Sequence, residues 1–280
     1  QYGADALRFM LVTGNSPGND TRYMDEKVKA ARNFANKIWN ATRFIQMNLS
    51  DEITKIELPE TLATEDKWVL TLYNDLVKEV TDNLEKFELG VASAKLYDFI
   101  WDILCDWYIE LVKSRLQAGG ETALNAQKVL VYVMANTLKL LHPFMPFITE
   151  EIWQALPHEG DYLIRAQWPT YRQEFDFAAE ERAMEAVKDA ISAVRARRAE
   201  MNVPPSRKAK IIITSQTPEI YVGGRDFITR LAYASEVEVG TQTPQDLNGM
   251  VTVSTHDATM YLPLAELVDI EKELERIGKE

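Results

Sequence analysis

The sequence predicts a mainly α-helical protein in which a helical bundle is followed by a small α/β module and by the start of a coiled coil. Apolar residues recur at helical spacing through most of residues 1–170. After residue 170, short β-branched runs alternate with Gly, Pro, Asn and Asp, as in strands joined by turns. Near the end of the chain, Leu267, Ile270, Leu274 and Ile277 are spaced as in a heptad repeat. We therefore expect a helical domain at 1–170, an α/β module at 171–263 and a truncated coiled coil at 264–280.

The order of the elements follows from local periodicity. Helices are expected at 4–13, 25–48, 64–87, 90–117, 122–142, 147–156 and 178–200. In the fourth of these, Phe99, Ile103, Trp107 and Leu111 are four residues apart, which predicts the central helix of the bundle. The runs KAKIIITS, SEVEVG, GMVTVST and ATMYLPL predict strands of the α/β module.

Composition excludes several classes of protein. A chain of 280 residues that is 46% hydrophobic is long enough for two folded domains. The single cysteine, Cys105, excludes a disulfide framework, and three scattered histidines offer no metal-ligand spacing. The single cysteine suits a reducing, cytoplasmic setting. No apolar stretch approaches the roughly 18 residues of a membrane span, so we expect no membrane association. The sequence also lacks a phosphate-binding glycine loop and any set of nucleophile and base, which predicts no catalytic residue and no cofactor in this chain.

The helix expected at 25–48 has an unusual outer face for a chain with a net charge of -12. On a helical wheel, its apolar arc holds Val28, Ala31, Phe34, Ala35, Ile38, Trp39, Ala41 and Ile45. The opposite arc collects only cations and carboxamides, together with one phenyl ring: Lys29, Arg32, Asn33, Asn36, Lys37, Asn40, Arg43 and Phe44. Such an arc is either an ordinary solvated surface or a site for single-stranded RNA, whose bases stack on exposed rings while Asn, Lys and Arg contact their edges.

A second basic cluster occupies residues 195–210. It begins with Arg195, Arg197 and Arg198, close together and with no aromatic or carboxamide residue next to them in the sequence. These arginines can neutralise phosphates but have little means of distinguishing bases. The alternative interpretation is a solvated helix end.

Five segments, taken in order, resemble the C-terminal portion of bacterial valyl-tRNA synthetases: GADALRF, GNDTRYMDEKVKAARNFANKIWNATRF, ELGVASAKLYDFIWDILCDWYIE, LLHPFMPFITEEIW and RAEMNVPPSRK. The segment HPFMPFITEEIW is shared with isoleucyl and leucyl enzymes, whereas RNFANKIWNATRF together with EMNVPPS points to the valyl family. In that family, the segment similar to YGADALRF follows the KMSKS signature of the ATP site. KMSKS and the earlier HIGH motif are absent here, and the chain begins without Met. The resemblance therefore implies a fragment that lacks the catalytic domain.

The resemblance also implies a role for the unusual helix. Its closest matches to the family's anticodon-reading residues are Lys37 and Phe44, and the remaining contacts are expected from their neighbours Lys29, Arg32, Asn33, Asn36, Asn40 and Arg43. Where family members often carry a basic residue before this helix, the chain has Glu26, and Lys27 is expected to replace it. Arg195, Arg197 and Arg198 are expected on the tRNA backbone.

The implied partner is valine tRNA, and the implied parent enzyme is a monomer that ligates valine to that tRNA with ATP, whereas this part alone is expected to be inactive. Two alternatives stay open at this point: a fragment of an isoleucyl-type enzyme, and a helical protein-interaction scaffold that does not bind RNA.

Overall fold

A computed structural model describes residues 2–14, 18, 20 and 22–267 of the chain. The chain divides into two compact units, Gln1–Ala178 and Ala179–Glu280. The first unit is helical, and the second contains a four-stranded sheet within the described residues. The predicted fold class, mainly α with a small α/β module, is confirmed. The division falls after Ala178, eight residues beyond the expected boundary at 170.

The helices of the first unit are α1 (Ala4–Val12), α2 (Asp25–Met47), α3 (Thr64–Glu85), α4 (Leu89–Asp98), α5 (Ile109–Ala118), α6 (Gly120–Leu141) and α7 (Pro146–Ala155). A π-helical stretch, Phe99–Tyr108, connects α4 to α5 without a break. These bounds agree with the periodicity of the sequence to within two residues. Pro146 occupies the first turn of α7, where its missing N–H costs no hydrogen bond.

The central helix of the bundle is α6, which corrects the prediction made for residues 90–117. Helix α6 has buried side chains on every side, including Val129, Leu130, Val131, Val133 and Met134. In the π-helical stretch, the buried residues are instead Phe99, Ile100, Leu104 and Tyr108, whereas Ile103 and Trp107 are half-buried. The prediction from four-residue spacing assumed an α-helix. In a π-helix the hydrogen bonds join residues five apart, so the side chains point in different directions and a different set is buried.

Helix α1 fastens the corner between α6 and α7 through two charged side chains. The buried carboxylate of Asp5 accepts hydrogen bonds from the backbone N–H groups of Phe147 and Ile148, at 3.3 and 2.7 Å. The Arg8 guanidinium donates to the carbonyl oxygens of Pro143 and Phe144. The first N–H groups of a helix lack partners of their own, so Asp5 caps the start of α7, while Arg8 satisfies carbonyls of the connection between α6 and α7.

A buried polar network joins α3 to the helix that carries Tyr108 and Arg115. Asp66, fully buried, accepts hydrogen bonds from the Tyr108 hydroxyl at 2.7 Å, from Arg115 at 2.8 Å and from the Ala63 backbone N–H at 3.0 Å. Arg115 also pairs with the buried Glu65 at 2.7 Å. Burial raises the pKa of Glu65, although the guanidinium opposes the shift. The network fixes the rotation of the π-helical stretch against α3.

The second unit consists of α8 (Ala178–Glu200) and a mixed sheet crossed by two short helices. Its strands are β1 (Ala209–Ser215), β2 (Ala234–Gly240), β3 (Met250–Ser254) and β4 (Ala258–Pro263), in the spatial order β2-β1-β4-β3. Strands β1 and β2 are parallel, and the connection between them carries α9 (Pro218–Gly223) and α10 (Arg225–Leu231). The other two pairs are antiparallel. Each strand matches one of the four β-branched runs.

The chain of described residues ends in a short helix, α11 (Leu264–Leu267). Leu267 is buried, and the predicted heptad positions Ile270, Leu274 and Ile277 lie outside the described residues. Among the helices that the structure describes, none is long and apolar enough to cross a membrane.

Candidate nucleic-acid interface

Helix α2 begins with two acidic residues and ends at an asparagine that caps it. Asp25 and Glu26 lie in its first turn, where negative charge is favourable near the unpaired N–H groups. At the other end, the Asn48 side chain donates a 2.8 Å hydrogen bond to the Phe44 carbonyl. One side of α2 is buried through Val28, Ala31, Phe34, Ile38, Ala41, Thr42 and Ile45. This buried side fixes which residues face outward.

The outward face is a continuous row that we call the α2 stripe: Lys29, Asn33, Asn36, Asn40, Arg43 and Met47. Successive members are four, three, four, three and four residues apart, so they lie one above another on the helix. All of them are exposed, and Arg32 is exposed beside them, donating a 3.0 Å hydrogen bond to Asn33. No carboxylate of α2 lies beyond its first turn. The row is therefore basic and amide-bearing as far as Arg43, ends at Met47, and is about 27 Å long.

The carboxamides of Asn36 and Asn40 make no hydrogen bond to any residue in the described ranges. An asparagine on a solvated helix often bonds to a neighbouring loop or to its own backbone. Here Asn48 does so, but the two stripe asparagines do not. Their donors and acceptors are directed to solvent, which favours the binding interpretation of the face over the structural one.

Lys37 lies on one border of the stripe, half-buried against the π-helical stretch. Its ammonium is 2.6 Å from the Asp106 carboxylate and 3.9 Å from the centroid of the Trp101 ring. Trp101 in turn stacks on Tyr97, with centroids 5.4 Å apart. Trp101 and Asp106 are five residues apart, so one π-helical turn brings both to the same side of the helix. In an α-helix they would diverge by about 140°, and Lys37 could not meet both.

Phe44 lies on the same border as Lys37, seven residues further along α2. It is half-buried rather than fully exposed, and the Lys113 ammonium is 5.7 Å from its ring centroid. The expected solvent-facing ring is thus covered in part by a cation. On the helix surface, Asn40 lies one turn before it.

Trp39 corrects the predicted apolar arc. It was expected in the core, but its side chain is 38% exposed and lies on the border of the stripe opposite Lys37 and Phe44. Helical geometry explains this exposure, because Trp39 points about 120° away from Ile45, which lies at the centre of the buried side. Thr42, which was not expected in the core, is buried and donates to the Ile38 carbonyl.

Lys27 does not belong to the stripe. It is nine residues before Asn36, which places it on the opposite side of the helix axis. Its side chain lines a cavity of about 280 Å³ beside Phe9 and Met10 of α1. Lys27 is exposed, so its expected part in anticodon reading stays a prediction, made from a different side of α2 than the stripe.

The second basic cluster is not a uniform phosphate-binding surface. Arg198 is buried, donates to the carbonyl oxygens of Pro204 and Arg207, and lies 5.5 Å from the centroid of the Tyr233 ring. Arg195 is half-buried and donates to the Leu231 carbonyl. Arg197 alone of the three is exposed, paired with Glu200 at 3.0 Å. Burial of the Arg198 side chain argues against the predicted tRNA-backbone contact at this residue, and its aromatic neighbour, Tyr233, comes from a distant part of the sequence.

The described residues do not form a group of side chains that could hold a metal ion. Burial raises the pKa of the Cys105 thiol to about 12, so this thiol is protonated at neutral pH and is a poor nucleophile. The arrangement on α2 can bind, but it contains no pair of groups placed to transfer a proton or to attack a substrate.

The chain belongs to the family of anticodon-binding domains of tRNA ligases, whose family model matches residues 66–213. That range covers most of the bundle and continues into β1, and α2 precedes it. Curated relatives that match this chain along its full length are valine–tRNA ligases, which confirms the resemblance drawn from the sequence.

Two of these relatives come from Clostridium acetobutylicum and Clostridium perfringens, each 49% identical over 100% of this chain. A third, from Geobacillus kaustophilus, is 45% identical, again over 100% of this chain. The chain spans 32% of the length of each of the three. Among solved structures, an Agrobacterium radiobacter K84 LeuRS in a ternary complex with tRNA shares 21% identity over 62% of this chain and 20% of that chain, with a TM-score of 0.48.

Proposed function

We propose that this chain is the tRNA-binding part of a valine–tRNA ligase, and that the α2 stripe and its Lys37 border bind the anticodon loop of valine tRNA. The observation that carries the proposal is the stripe itself, a row of basic and carboxamide residues without a carboxylate, in a chain of net charge -12. Two of its carboxamides, Asn36 and Asn40, have no hydrogen-bond partner among the described residues. Membership of an anticodon-binding family and the names of the relatives support it.

The chemistry of the stripe suits single-stranded bases. Valine codons begin with GU, so valine tRNAs carry A and C as the second and third anticodon letters. The edges of these bases present both donors and acceptors, which a carboxamide can match, and an ammonium contacts their acceptors. Lys29, Arg32 and Arg43 provide positive charge for the neighbouring phosphates. The overall negative charge of the chain opposes indiscriminate binding of RNA.

In this proposal, the catalytic step takes place in a part of the ligase outside this chain. ATP would be used there, and the chain would position the tRNA so that its acceptor end reaches that site. A monomeric parent enzyme and a cytoplasmic location belong to the same proposal. A preparation of this chain that catalysed valine-dependent pyrophosphate exchange would contradict the separation of binding from chemistry.

The direct test is a set of tRNA titrations with the 280-residue chain. Valine tRNA, the same tRNA with its second or third anticodon letter exchanged, and isoleucine tRNA would be compared at several salt concentrations. We expect tightest binding of valine tRNA and a loss of about 1–3 kcal/mol for each exchanged letter, as for other specific base contacts. Equal affinity for all four RNAs would reject anticodon reading, and no binding to any of them would favour the protein-interaction scaffold.

A further inference from the structure

Trp39 is the most solvent-accessible of the six tryptophans of the chain, and its position has no structural explanation within the bundle. It is 38% exposed, whereas Trp68 and Trp153 are buried. Trp101 stacks on Tyr97, and the Trp168 indole N–H bonds to Thr81 at 2.9 Å. The Trp39 indole N–H has no hydrogen-bond partner in the part of the chain that the structure describes. A large ring that is neither buried nor bonded is available for a partner.

The residues around Trp39 indicate that such a partner is negatively charged. On the helix surface its neighbours are Asn36, three residues before it, and Arg43, four residues after it, both exposed. Arg32 lies two turns away on the same side. The nearest acids of α2 are Asp25 and Glu26 in the first turn, more than three turns from Trp39. The ring therefore lies in a positive, amide-bearing environment that suits an anion with an apolar face.

Trp39 and Phe44 frame the stripe. They are five residues apart, which separates them by about 140° around the helix axis and about 7.5 Å along it. Phe44 is half-buried and lies beneath the Lys113 ammonium of α5, whereas Trp39 has more free surface. Between the two rings lie Asn40 and Arg43.

We propose that Trp39 is a second stacking platform for an unpaired base of the tRNA loop, on the border of the stripe opposite Lys37 and Phe44. This inference rests on the proposed function and adds a residue to its site. An indole face stacks on any of the four bases, so Trp39 contributes affinity with little preference for the base it covers. Asn36 and Arg43, beside the ring, are placed to contact the edge and the phosphate of that nucleotide.

The wild-type protein allows a test that needs no substitution. Valine tRNA carrying 5-iodouracil at one anticodon-loop position at a time would be irradiated in complex with the 280-residue chain and then digested with trypsin. Cleavage after Lys37 and Arg43 yields a peptide of residues 38–43, in which Trp39 is the sole aromatic residue, and a separate peptide of residues 44–55 that contains Phe44. We expect adducts on Trp39 in the first peptide. Adducts confined to the second peptide, at every loop position, would overturn the proposal.

Variants provide the second measurement. Trp39→Leu keeps apolar bulk but removes the ring, and we expect it to weaken binding of valine tRNA by about 5- to 150-fold, the range of one lost stacked base. Trp39→Phe should retain most of the affinity. The matched control is Phe87→Leu, because Phe87 is 79% exposed and lies in the turn between α3 and α4, away from α2.

The RNAs distinguish failure of this inference from failure of the proposed function. Trp39→Leu should lower the affinity for valine tRNA and for its anticodon-exchanged form by the same factor. If the wild-type chain prefers valine tRNA and Trp39→Leu binds as tightly as wild type, the platform is refuted and the proposed function stands. If the wild-type chain binds no tRNA, the proposed function itself fails.

Discussion

The ammonium of Lys37 is held between the carboxylate of Asp106, at 2.6 Å, and the ring of Trp101, at 3.9 Å from its centroid. Of the three N–H groups of an ammonium, one is directed to the carboxylate, and the ring restricts the approach from a second side. Lys37 can therefore present a donor to a base from a defined position. Because Asp106 neutralises part of its charge, Lys37 attracts phosphates less strongly than a free lysine would. This suits a residue that distinguishes between bases.

Replacing Asp106 should reduce selectivity without reducing affinity. In Asp106→Asn, Lys37 loses its anchor and the surface loses a negative charge, so we expect the preference for valine tRNA over an anticodon-exchanged tRNA to fall while binding of both stays equal or tightens. Titrations with the two RNAs measure this effect. Glu79→Gln is the matched control, because it breaks a comparable pair with Lys95 at 3.0 Å away from α2. A selectivity unchanged in Asp106→Asn would show that the pair does not position Lys37.

Phe44 should affect both stability and binding, because it is half-buried. We expect Phe44→Ala to destabilise the bundle by about 2 kcal/mol, below the roughly 3–5 kcal/mol of a fully buried phenylalanine. Phe44→Leu keeps the buried contacts and should cost under about 1.5 kcal/mol of stability, yet lose about 1–3 kcal/mol of tRNA binding with the ring. Urea unfolding and tRNA titration separate the two effects. Full affinity in a folded Phe44→Leu protein would remove Phe44 from the site.

The second basic cluster should divide by burial. Arg197→Ala removes an exposed charge, and we expect a stability change within about 0.5 kcal/mol. If Arg197 contacts a phosphate, the slope of log affinity against log salt should fall in magnitude by somewhat under one unit, equally for matched and exchanged tRNAs. An unchanged affinity and slope would identify Arg197 as ordinary surface.

Arg198→Ala should instead behave as a structural variant. Its guanidinium satisfies the carbonyls of Pro204 and Arg207 from a buried position, so we expect a loss of about 3 kcal/mol in the stability of the second unit. Thermal unfolding would reveal it before any RNA is added. Wild-type stability together with weakened tRNA binding would contradict the structural assignment of Arg198.

His142 at the end of α6 should make stability depend on pH. Burial lowers its pKa below 6.5, although Glu150 and Asp5 nearby oppose the shift. The folded protein thus binds the proton less readily than the unfolded chain, so the contribution is complete above about pH 6.5 and is lost as the pH falls toward the lower folded value. We expect the wild-type protein to lose more stability than His142→Gln when the pH is lowered from about 7.5 to about 5. This range brackets the ordinary histidine pKa of about 6.5. Parallel curves for the two proteins would refute it.

The sequence was sufficient for features that depend on local pattern. Helix bounds and strands follow from periodicity and turn residues, and the basic arc of α2 follows from the same periodicity. What it could not supply are contacts between distant segments. Asp106 is 69 residues from Lys37 in the chain, and only the rotation of the π-helical stretch brings them together.

The errors on the helical wheel have a common physical origin. Trp39 and Thr42 were assigned by residue type, whereas exposure is decided by the neighbouring helix that covers each angle. Trp39 is left outside the packed side, and Thr42 lies within it. The burial of Arg198 was not predicted for a related reason: its partners are carbonyl groups of the following loop, which carry no signal in the identity of the side chains.

The π-helical stretch Phe99–Tyr108 sets the phase between the two faces of one long helix. Trp101 and Asp106 point to α2, and Leu104 and Tyr108 point into the bundle, in a register that an α-helix cannot provide. Deleting one residue within it would turn all that follows by about 100°, moving Asp106 away from Lys37 and Arg115 away from Asp66 together. The surface contact of Lys37 with Asp106 and the buried contact of Arg115 with Asp66 therefore depend on the same helical register. A chain that folds with its buried network intact also holds Lys37 in its position on the surface.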